Sequence, residues 1–262
     1  MPASSRDIRI RVVQPAAGPL EPESAMALIA DSISAASGHA DLLVLPELAT
    51  TQYDIRRHIG QIAPALDGAQ FTELRELARQ AHLVAVVGLV EVADPVLYNS
   101  AAVIDADGSL AGVVRKSHLF AGERRVFAAG STIGPIRTSL GQLGVAVCYD
   151  IEFPEVARSL AVAGAEALIV ISANMHPYTD YHLTYAKSRA MENGIPLALS
   201  NWVGQGPRFD FLGRSCIVSN QGQILADASD TPGYADAVVT LGAPTDPDLD
   251  YLAHRRPELY QP

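Results

Sequence analysis

The sequence predicts an α/β protein in which a mixed β-sheet is covered by helices. Two patterns along the 262 residues support this class: short apolar, β-branched runs that end in turn residues, and helical patterns between several of these runs. The chain is 48% hydrophobic, which is enough to bury a large core. Since no Pro/Gly/Ser-rich linker divides it, we expect a single domain over 1–262 with a C-terminal tail at about 243–262.

The predicted strands are the apolar runs, and two of the connections between strands are predicted hairpins. The stretches "DADG" and "SNQG" are typical of tight turns, so some neighbouring strands are expected to be antiparallel. The predicted strands cover 8–14, 41–46, 83–92, 100–108, 110–116, 143–150, 166–172, 196–204, 214–226 and 234–241.

The predicted helices have clear start and stop signals. Proline and acidic residues open two of them, and glycine closes two. Because these helices alternate with strands, we expect them to cover one or both faces of the sheet. They span 21–38, 69–81, 153–165 and 180–194.

Composition and charge exclude several classes of function. The formal net charge of −10 argues against a general binder of nucleic acid or anionic membrane, since both need basic surface. The longest apolar runs, such as 83–90, have the length of a strand and not of a membrane span, and the N-terminus lacks the pattern of a secretory signal. Two cysteines cannot form a disulfide framework, so we expect a cytoplasmic protein. No metal-ligand spacing or nucleotide-binding loop is present, and we expect neither metal nor cofactor.

Three predicted strands end in side chains with complementary chemistry. Glu47 follows "LLVLP", Lys116 follows "GVVR", and Cys148 follows "LGVAV" shortly before a helix. Open α/β sheets place their sites at the carboxyl ends of strands, where these three groups could converge. Glu47 could then take the thiol proton as Cys148 attacks a carbonyl or nitrile carbon. Lys116 and a backbone N–H near Tyr149 could hold the oxyanion.

Each of the three residues also has an ordinary structural explanation. A cysteine after a strand is often a small buried hydrophobic residue. A glutamate after proline is often a solvated loop residue or a helix cap, and a lysine after arginine is often a solvated charge at a sheet edge. Spacing does not decide between these explanations and a catalytic set.

The segments that contain these residues resemble the signature segments of the carbon–nitrogen hydrolase (nitrilase) superfamily. They are "LLVLPEL", "RKSHLF…GERRVF…G" and "GVAVCYDIEFPEVARSLAVAGAEALIV", followed by "AKSRAMENGIPLALSN", in the order found in that family. The similarity extends from about residue 8 to about residue 240. It implies a four-layer αββα sandwich, with Glu47, Lys116 and Cys148 as the catalytic set and Cys148 as the nucleophile.

The resemblance also implies further site residues. Glu123 matches the family's second glutamate, which hydrogen-bonds near the lysine; the alternative is a surface carboxylate beside two arginines. Tyr53 resembles an aromatic residue that lines the pocket, and Asn174 resembles a residue of the pocket wall. Met175 and His176 are neighbouring candidates. For these four, the alternative is an ordinary loop position.

Details of the motifs favour an amidase that converts a small carboxamide to a carboxylic acid and ammonia through a thioester. Nitrilases proper usually have Trp-Glu after the nucleophile, whereas this chain has Tyr149 and Asp150. Many family amidases that act on carboxylate-bearing amides have arginine where this chain has Glu152. Arginine would pair with a carboxylate and glutamate would repel it, so we expect a neutral or amine-bearing amide. The alternative is that Glu152 faces solvent or pairs with Arg158.

Other functions and assemblies remain open. N-carbamoyl amide hydrolysis and nitrile hydrolysis would use the same residues, and a binding protein with residual activity would have the same fold. The resemblance also implies a homodimer or a larger homo-oligomer. The Pro-rich tail could cover the pocket of a partner subunit or lie on its own surface.

Overall fold

The chain folds into two six-stranded sheets that pack face to face, and a computed structural model describes residues 5–18, 21–53, 63–243 and 246–260. The strands of the first sheet are β1 Arg6–Gln14, β2 Leu42–Val44, β3 Val84–Ala93, β4 Val96–Ile104, β5 Leu110–Arg115 and β14 Gly233–Leu241. Those of the second sheet are β6 Ile136–Thr138, β7 Gly141–Val147, β8 Ala167–Ile171, β9 Leu197–Ser200, β12 Cys216–Val218 and β13 Ile224–Asp227. In the first sheet the spatial order is β14-β1-β2-β3-β4-β5, and in the second it is β13-β12-β9-β8-β7-β6.

Each sheet has a parallel centre and antiparallel edges. Strands β1, β2 and β3 are parallel, as are β7, β8 and β9. The other pairings within the two sheets are antiparallel. A separate ribbon joins β10 Val203–Gln205 to β11 Asp210–Leu212. The parallel centres place the carboxyl ends of β2, β7 and β8 beside connecting loops, where open α/β sheets carry their sites.

Helices cover the outer face of each sheet. The helices are α1 Pro22–Ala36, α2 Ala69–Ala81, α3 Pro154–Val162 and α4 Tyr181–Asn193. Buried side chains of α1 and α2, such as Ile29 and Phe71, pack on the first sheet, and those of α3 and α4, such as Leu160 and Ala190, pack on the second. A third cluster fills the space between the sheets, where Val44 and Ile169 are both fully buried. The described residues therefore form four layers, αββα, as the resemblance implies.

The helical periods of the sequence explain these layers. Ile29 and Ile33 lie one turn apart on α1 and are both fully buried, as a helix with one apolar stripe requires. Burying each such side chain contributes about 1.5–3 kcal/mol to the free energy of folding. No helix in the described ranges is long and apolar enough to cross a membrane.

Most of the predicted elements are confirmed, and the differences are local. All four helices lie within the predicted ranges, "DADG" connects β4 to β5, and "SNQG" connects β12 to β13. The predicted strand 196–204 is wrong as one element, because the chain leaves the second sheet after Ser200 and pairs again only at Val203. The three-residue strands β6 and β11 were not predicted, since so short a run has no readable period.

The described part of the tail lies on the chain's own surface. Leu249 and Tyr251 line a cavity together with Met191 at the end of α4 and Asn220 in the turn after β12. None of the predicted site residues lines this cavity. Whether the tail also covers a partner's pocket stays a prediction.

Candidate active site

The predicted nucleophile lies at the carboxyl end of β7, where the chain turns sharply. Val147 is the last residue of the strand, and a 3-10 helix begins at Cys148 and ends at Glu152. Cys148 has a φ of 49°, in the left-handed region that non-glycine residues seldom adopt. Such a strained residue is typical of a functional site. The Cys148 side chain is buried but retains 9% exposure.

Glu47 reaches the same place from the first sheet. It lies in the loop after β2, and two hydrogen bonds fix its backbone: its N–H donates to the Ser172 carbonyl at 3.3 Å, and its carbonyl accepts Nε1–H of Trp202 at 2.8 Å. The Glu47 side chain is fully buried. Ser172 follows β8 and Trp202 follows shortly after β9, both strands of the second sheet, so contacts between segments of the two sheets position this carboxylate.

Lys116 lies between two buried carboxylates. It follows β5 directly, and its Nζ is 2.7 Å from Oε1 of Glu47 and 2.8 Å from Oε1 of Glu123. None of the three side chains has exposed surface in its ion pairs. The structure therefore brings together three of the predicted residues, and Lys116 is not a solvated charge at a sheet edge.

Glu123 is buried, unlike the two arginines that follow it. It lies in a short 3-10 helix, Ala121–Arg125, and its Oε2 accepts the Phe120 N–H at 2.7 Å. Its Oε1 also accepts the hydroxyl of Tyr53 at 2.7 Å. Tyr53 is thus hydrogen-bonded to the carboxylate cluster as well as lining the cleft, which the sequence did not reveal.

Asn99 is a site residue that sequence analysis missed. Its Nδ2 donates to Oε1 of Glu47 at 2.6 Å, and its backbone carbonyl accepts the N–H of Lys116 at 2.8 Å. The side chain is fully buried within β4. A polar amide inside the apolar stretch "LYNSAAVI" was the available signal, because a buried amide needs partners.

Burial and neighbouring charge set the protonation of the cluster. Burial raises the pKa of Glu47, with a further contribution from Glu123, and the Lys116 ammonium and the Cys148 thiol oppose this rise only in part. Burial also raises the pKa of the Cys148 thiol well above its usual value, and the Glu47 charge adds to the effect. For Lys116, burial lowers the pKa, but the charges of Glu47, Cys148 and Glu123 outweigh it and raise the pKa. The thiol is consequently neutral at rest, and attack requires a base.

Glu47 has one carboxylate oxygen to spare. Its Oε1 accepts hydrogen bonds from both Lys116 and Asn99, whereas the buried Oε2 has no hydrogen-bond partner in the described part of the protein. A buried carboxylate oxygen without a hydrogen-bond partner costs free energy, so its presence in a native structure points to a functional role. This oxygen belongs to the same carboxylate that interacts with the Cys148 thiol. It can accept a proton in the site.

Asp150 holds the nucleophile turn against the loop that carries Lys116. Its carboxylate accepts N–H groups from Val147 at 3.2 Å, Ser117 at 3.3 Å and His118 at 2.8 Å. Since Ser117 and His118 directly follow Lys116, one buried side chain fixes both segments. Its position after the nucleophile was noted in the sequence, but this function was not.

A small cleft opens at Cys148, with about 290 Å³ of space including its mouth. Tyr149 is the second residue of the 3-10 helix, so its N–H has no acceptor within that helix and is available near the thiol. The lining residues are Tyr53, Phe120, Cys148, Tyr149, Glu152, Ala173, Asn174, Met175, Tyr178 and His182. So narrow a cleft admits a small substrate.

The structure corrects one predicted pocket residue and decides between the alternatives for another. Asn174 and Met175 line the cleft, but the side chain of His176 is 54% exposed and faces Asp210. Met175 pairs with Phe211 as a β-bridge, and successive side chains in extended chain point to opposite sides.

Glu152 lines the cleft with Oε1 3.6 Å from Nε2 of His182, so it neither faces only solvent nor pairs with Arg158.

Comparison with known proteins agrees with this geometry. A profile of the carbon–nitrogen hydrolase family matches residues 9–243. Two similar relatives are a probable nitrilase of Schizosaccharomyces pombe, 39% identical over 71% of this chain and 70% of its own, and an (R)-stereoselective amidase of a Pseudomonas species, 35% identical over 76% and 72%. An amidase from Nesterenkonia sp. AN1 has a similar solved structure, with a TM-score of 0.85, 32% identity, and coverage of 97% of this chain and 98% of the other. Another structure of that amidase carries the acetamide moiety of fluoroacetamide covalently at its active-site cysteine.

Proposed function

Because the chain belongs to the carbon–nitrogen hydrolase family and is a cysteine-dependent hydrolase that acts on amides, we propose that it converts a small carboxamide to a carboxylic acid and ammonia through a thioester on Cys148. Glu47 is the general base and acid, Lys116 stabilises the oxyanion, and Glu123 positions Lys116. The main support for this proposal is the buried Oε2 of Glu47, which has no hydrogen-bond partner in the described part of the protein and belongs to a carboxylate that interacts with the thiol.

The acylation step begins with a neutral thiol. Glu47 accepts the thiol proton as the sulfur of Cys148 attacks the carbonyl carbon, so that a C–S bond forms and the carbonyl oxygen becomes an oxyanion. The ammonium of Lys116 and the N–H of Tyr149 stabilise that oxygen. Glu47 then returns its proton to the amide nitrogen, the C–N bond breaks, and ammonia leaves.

The deacylation step uses the same groups with water as the nucleophile. Glu47 takes a proton from water while the hydroxide attacks the thioester carbon, and Lys116 again faces the oxyanion. The C–S bond breaks, the proton returns to sulfur, and the carboxylic acid leaves. The carboxylate serves both steps because burial keeps its pKa raised.

Intact-protein mass spectrometry with parallel detection of ammonia tests this mechanism. Wild type and Cys148→Ala are mixed with short amides, nitriles and carbamoyl compounds. We expect an acyl adduct and ammonia from small amides with wild type, and neither with the variant. Ammonia release by Cys148→Ala at the wild-type rate would contradict the assignment of the nucleophile.

The substrate we propose is neutral or amine-bearing. Glu152 and Cys148 line the same narrow cleft, and a carboxylate there repels an acidic substrate and attracts an ammonium group. A comparison of kcat/KM for amino-acid amides and for ω-amides of dicarboxylic acids tests this selectivity. Glu152→Gln should narrow the gap between the two classes by raising kcat/KM for the acidic amides. A wild-type preference for the acidic amides would rule the idea out.

Two other reactions could use the same residues. A nitrilase of Pyrococcus abyssi and an N-carbamoylputrescine amidase of Arabidopsis thaliana are also similar to this chain, at 34% and 33% identity. Release of carbon dioxide together with ammonia would identify carbamoyl hydrolysis, and turnover of nitriles in the panel would identify a nitrilase.

We also propose a cytoplasmic homo-oligomer. Both cysteines are free, and a thiol nucleophile suits a reducing compartment. Large apolar side chains are exposed on α3, α4 and the tail, among them Val162, Met191 and Leu259. Exposed apolar side chains of this size favour self-association. Size-exclusion chromatography with light scattering measures the mass directly, and a monomer at micromolar concentration would contradict this assembly.

A further inference from the structure

We propose that Ser172 is a positioning residue for Cys148, and that its hydroxyl proton turns from His182 to the sulfur when the thiolate forms. The Glu152 carboxylate beside Nε2 of His182 favours the ring tautomer that makes this change possible. The inference rests on the proposed function only in taking Cys148 as the nucleophile.

The sheet register places Ser172 beside the nucleophile. Strands β7 and β8 are parallel with Val147 opposite Ile171, so the next residue of each strand, Cys148 and Ser172, lies at the same edge. The Ser172 backbone is fixed on both sides, since its N–H donates to Ser200 and its carbonyl accepts the N–H of Glu47. One fully buried serine thus contacts the base through its backbone and the nucleophile through its side chain.

The hydroxyl of Ser172 has two neighbouring acceptors but only one proton to donate. Its Oγ is 3.7 Å from Sγ of Cys148 and 2.9 Å from Nδ1 of His182, and it accepts the N–H of Asn174 at 3.1 Å. A hydroxyl has one proton to donate. The hydroxyl can donate that proton in a hydrogen bond either to the imidazole or to the sulfur, but not to both at once.

The surroundings of His182 decide where the proton rests. Burial lowers the pKa of His182, with an opposing contribution from Glu152 and a further lowering by Lys116, so the ring is neutral. These two are the charged groups that act on the ring among the described residues: Glu152 from the 3-10 helix and Lys116 from the loop after β5. Because the Glu152 carboxylate lies 3.6 Å from Nε2, the ring keeps its proton on Nε2 and presents Nδ1 as an acceptor. At rest, Ser172 therefore donates to His182.

Formation of the thiolate reverses the preference. A charged sulfur is a stronger acceptor than a neutral imidazole nitrogen, and hydrogen bonds to charged groups are the stronger ones. Rotation about one side-chain bond brings the hydroxyl proton to Sγ, while Oγ keeps the Asn174 N–H. The proton stays bonded to Oγ, so no proton transfer takes place in this step. The result is a donor that stabilises sulfur only after Glu47 has taken the thiol proton.

The test is the rate at which Cys148 reacts with methyl methanethiosulfonate, which transfers a methylthio group to the thiolate and releases methanesulfinate. Peptide mapping by mass spectrometry assigns the label, and Cys216 is an internal reference because burial raises its pKa to about 12. The rate is measured as a function of pH for full-length wild type, Ser172→Ala, Ser172→Thr and His182→Leu. Ser200→Ala is the matched control, since Ser200 is a buried serine at the end of the neighbouring strand β9.

The variants should move the rate in opposite directions. Ser172→Ala should react about tenfold more slowly than wild type at pH 7, with the midpoint of the pH profile higher by about one unit. Ser172→Thr and Ser200→Ala should stay near the wild-type rate. His182→Leu should react faster, because the competing acceptor is gone and the hydroxyl donates its hydrogen bond to the sulfur throughout.

Two results would overturn the proposal: an unchanged rate and midpoint in Ser172→Ala, or a slower reaction in His182→Leu. Thermal unfolding of each variant establishes that it is folded, and if Ser172→Ala does not fold, the His182→Leu rate decides. Hydrolysis that survives in Cys148→Ala would refute the proposed function separately, because the labelling rates do not depend on turnover.

Discussion

The ammonium nitrogen of Lys116 lies 2.7 Å from Oε1 of Glu47, with neither side chain exposed to solvent. Glu123 contacts the same nitrogen from the other side at 2.8 Å. Because a buried charge without a partner is very costly, the stability of each of the three groups depends on the other two. The chemistry and the stability of the core are therefore coupled at this point.

Replacing Lys116 by methionine should cost both stability and activity. The variant leaves two carboxylates buried together, so the free energy of unfolding should fall by about 3–5 kcal/mol and hydrolysis should be lost. Urea unfolding and ammonia release measure the two effects. The chain supplies a matched control in Lys187→Met, since Lys187 is exposed. An unfolding free energy equal in the two variants would contradict the coupling.

Asn99→Ala should shift the pH dependence of hydrolysis. Asn99 donates to Oε1 of Glu47, and a hydrogen bond to the charged form lowers a carboxyl pKa. Without it the pKa of Glu47 rises further, so the acidic limb of the kcat/KM profile should move to higher pH and kcat/KM near pH 7 should fall about tenfold. If the limb does not move while kcat/KM falls, Asn99 acts on some other group.

Gly88→Ala should disturb the loop that carries Glu47. A Cβ at position 88 would lie 2.2 Å from the Pro46 carbonyl oxygen and 2.6 Å from the Leu48 nitrogen, both backbone atoms. We expect a loss of about 1–3 kcal/mol in the free energy of unfolding and a hundredfold loss of activity, since the base is displaced. Gly134→Ala is the control, because a Cβ there meets nothing within 4 Å. Wild-type activity in Gly88→Ala would show that the loop can shift without cost.

Glu166→Gln should lower stability in a pH-dependent way. Arg6 of the first sheet holds Glu166 of the second through two hydrogen bonds of 3.0 and 2.9 Å. Burial alone would raise the pKa of Glu166, but the bonds from Arg6 and the Gln142 N–H outweigh it and hold the pKa below its ordinary value. Since the folded pKa is lowered, the contribution is present above the unfolded value and disappears as pH falls through the folded one.

The difference between wild type and Glu166→Gln should therefore be about 1 kcal/mol at neutral pH, after allowance for partial exposure, and vanish in strong acid. Urea unfolding across this pH range measures it. Glu76→Gln removes an exposed pair within α2 and should have a smaller effect at neutral pH. A difference for Glu166→Gln that persists in strong acid would show that packing, and not charge, is responsible.

The local patterns of the sequence were sufficient to predict the helices, most of the strands and the strand ends that carry Glu47, Lys116 and Cys148. Helix α2 has the predicted bounds, because its apolar spacing and the flanking Gly68 and His82 leave little choice. Glu47, Lys116 and Cys148 were all placed at strand ends for the same local reason. The catalytic interpretation of those residues came from the resemblance, since spacing alone did not bring them together.

The contacts around the site were outside the reach of local patterns. Glu47 and Lys116 are 69 positions apart and follow β2 and β5, which β3 and β4 separate in the first sheet, so only the tertiary structure brings the two side chains together. Asn99 lies just before a predicted strand and Ser172 ends another, so neither was identified as a site residue. His176 was not distinguished from Met175 until the β-bridge showed which side chain faces the cleft.

By itself, the sequence determined which segments become helices and strands, and that a carboxylate, an ammonium group and a thiol lie where strands end. The tertiary structure alone decided which oxygen of Glu47 lacks a hydrogen-bond partner, which side chain Glu152 contacts and which acceptors the Ser172 hydroxyl can reach. The reason is physical: hydrophobic period and turn chemistry act over a few residues, whereas distances between side chains follow from sheet register and from the packing of one sheet on the other.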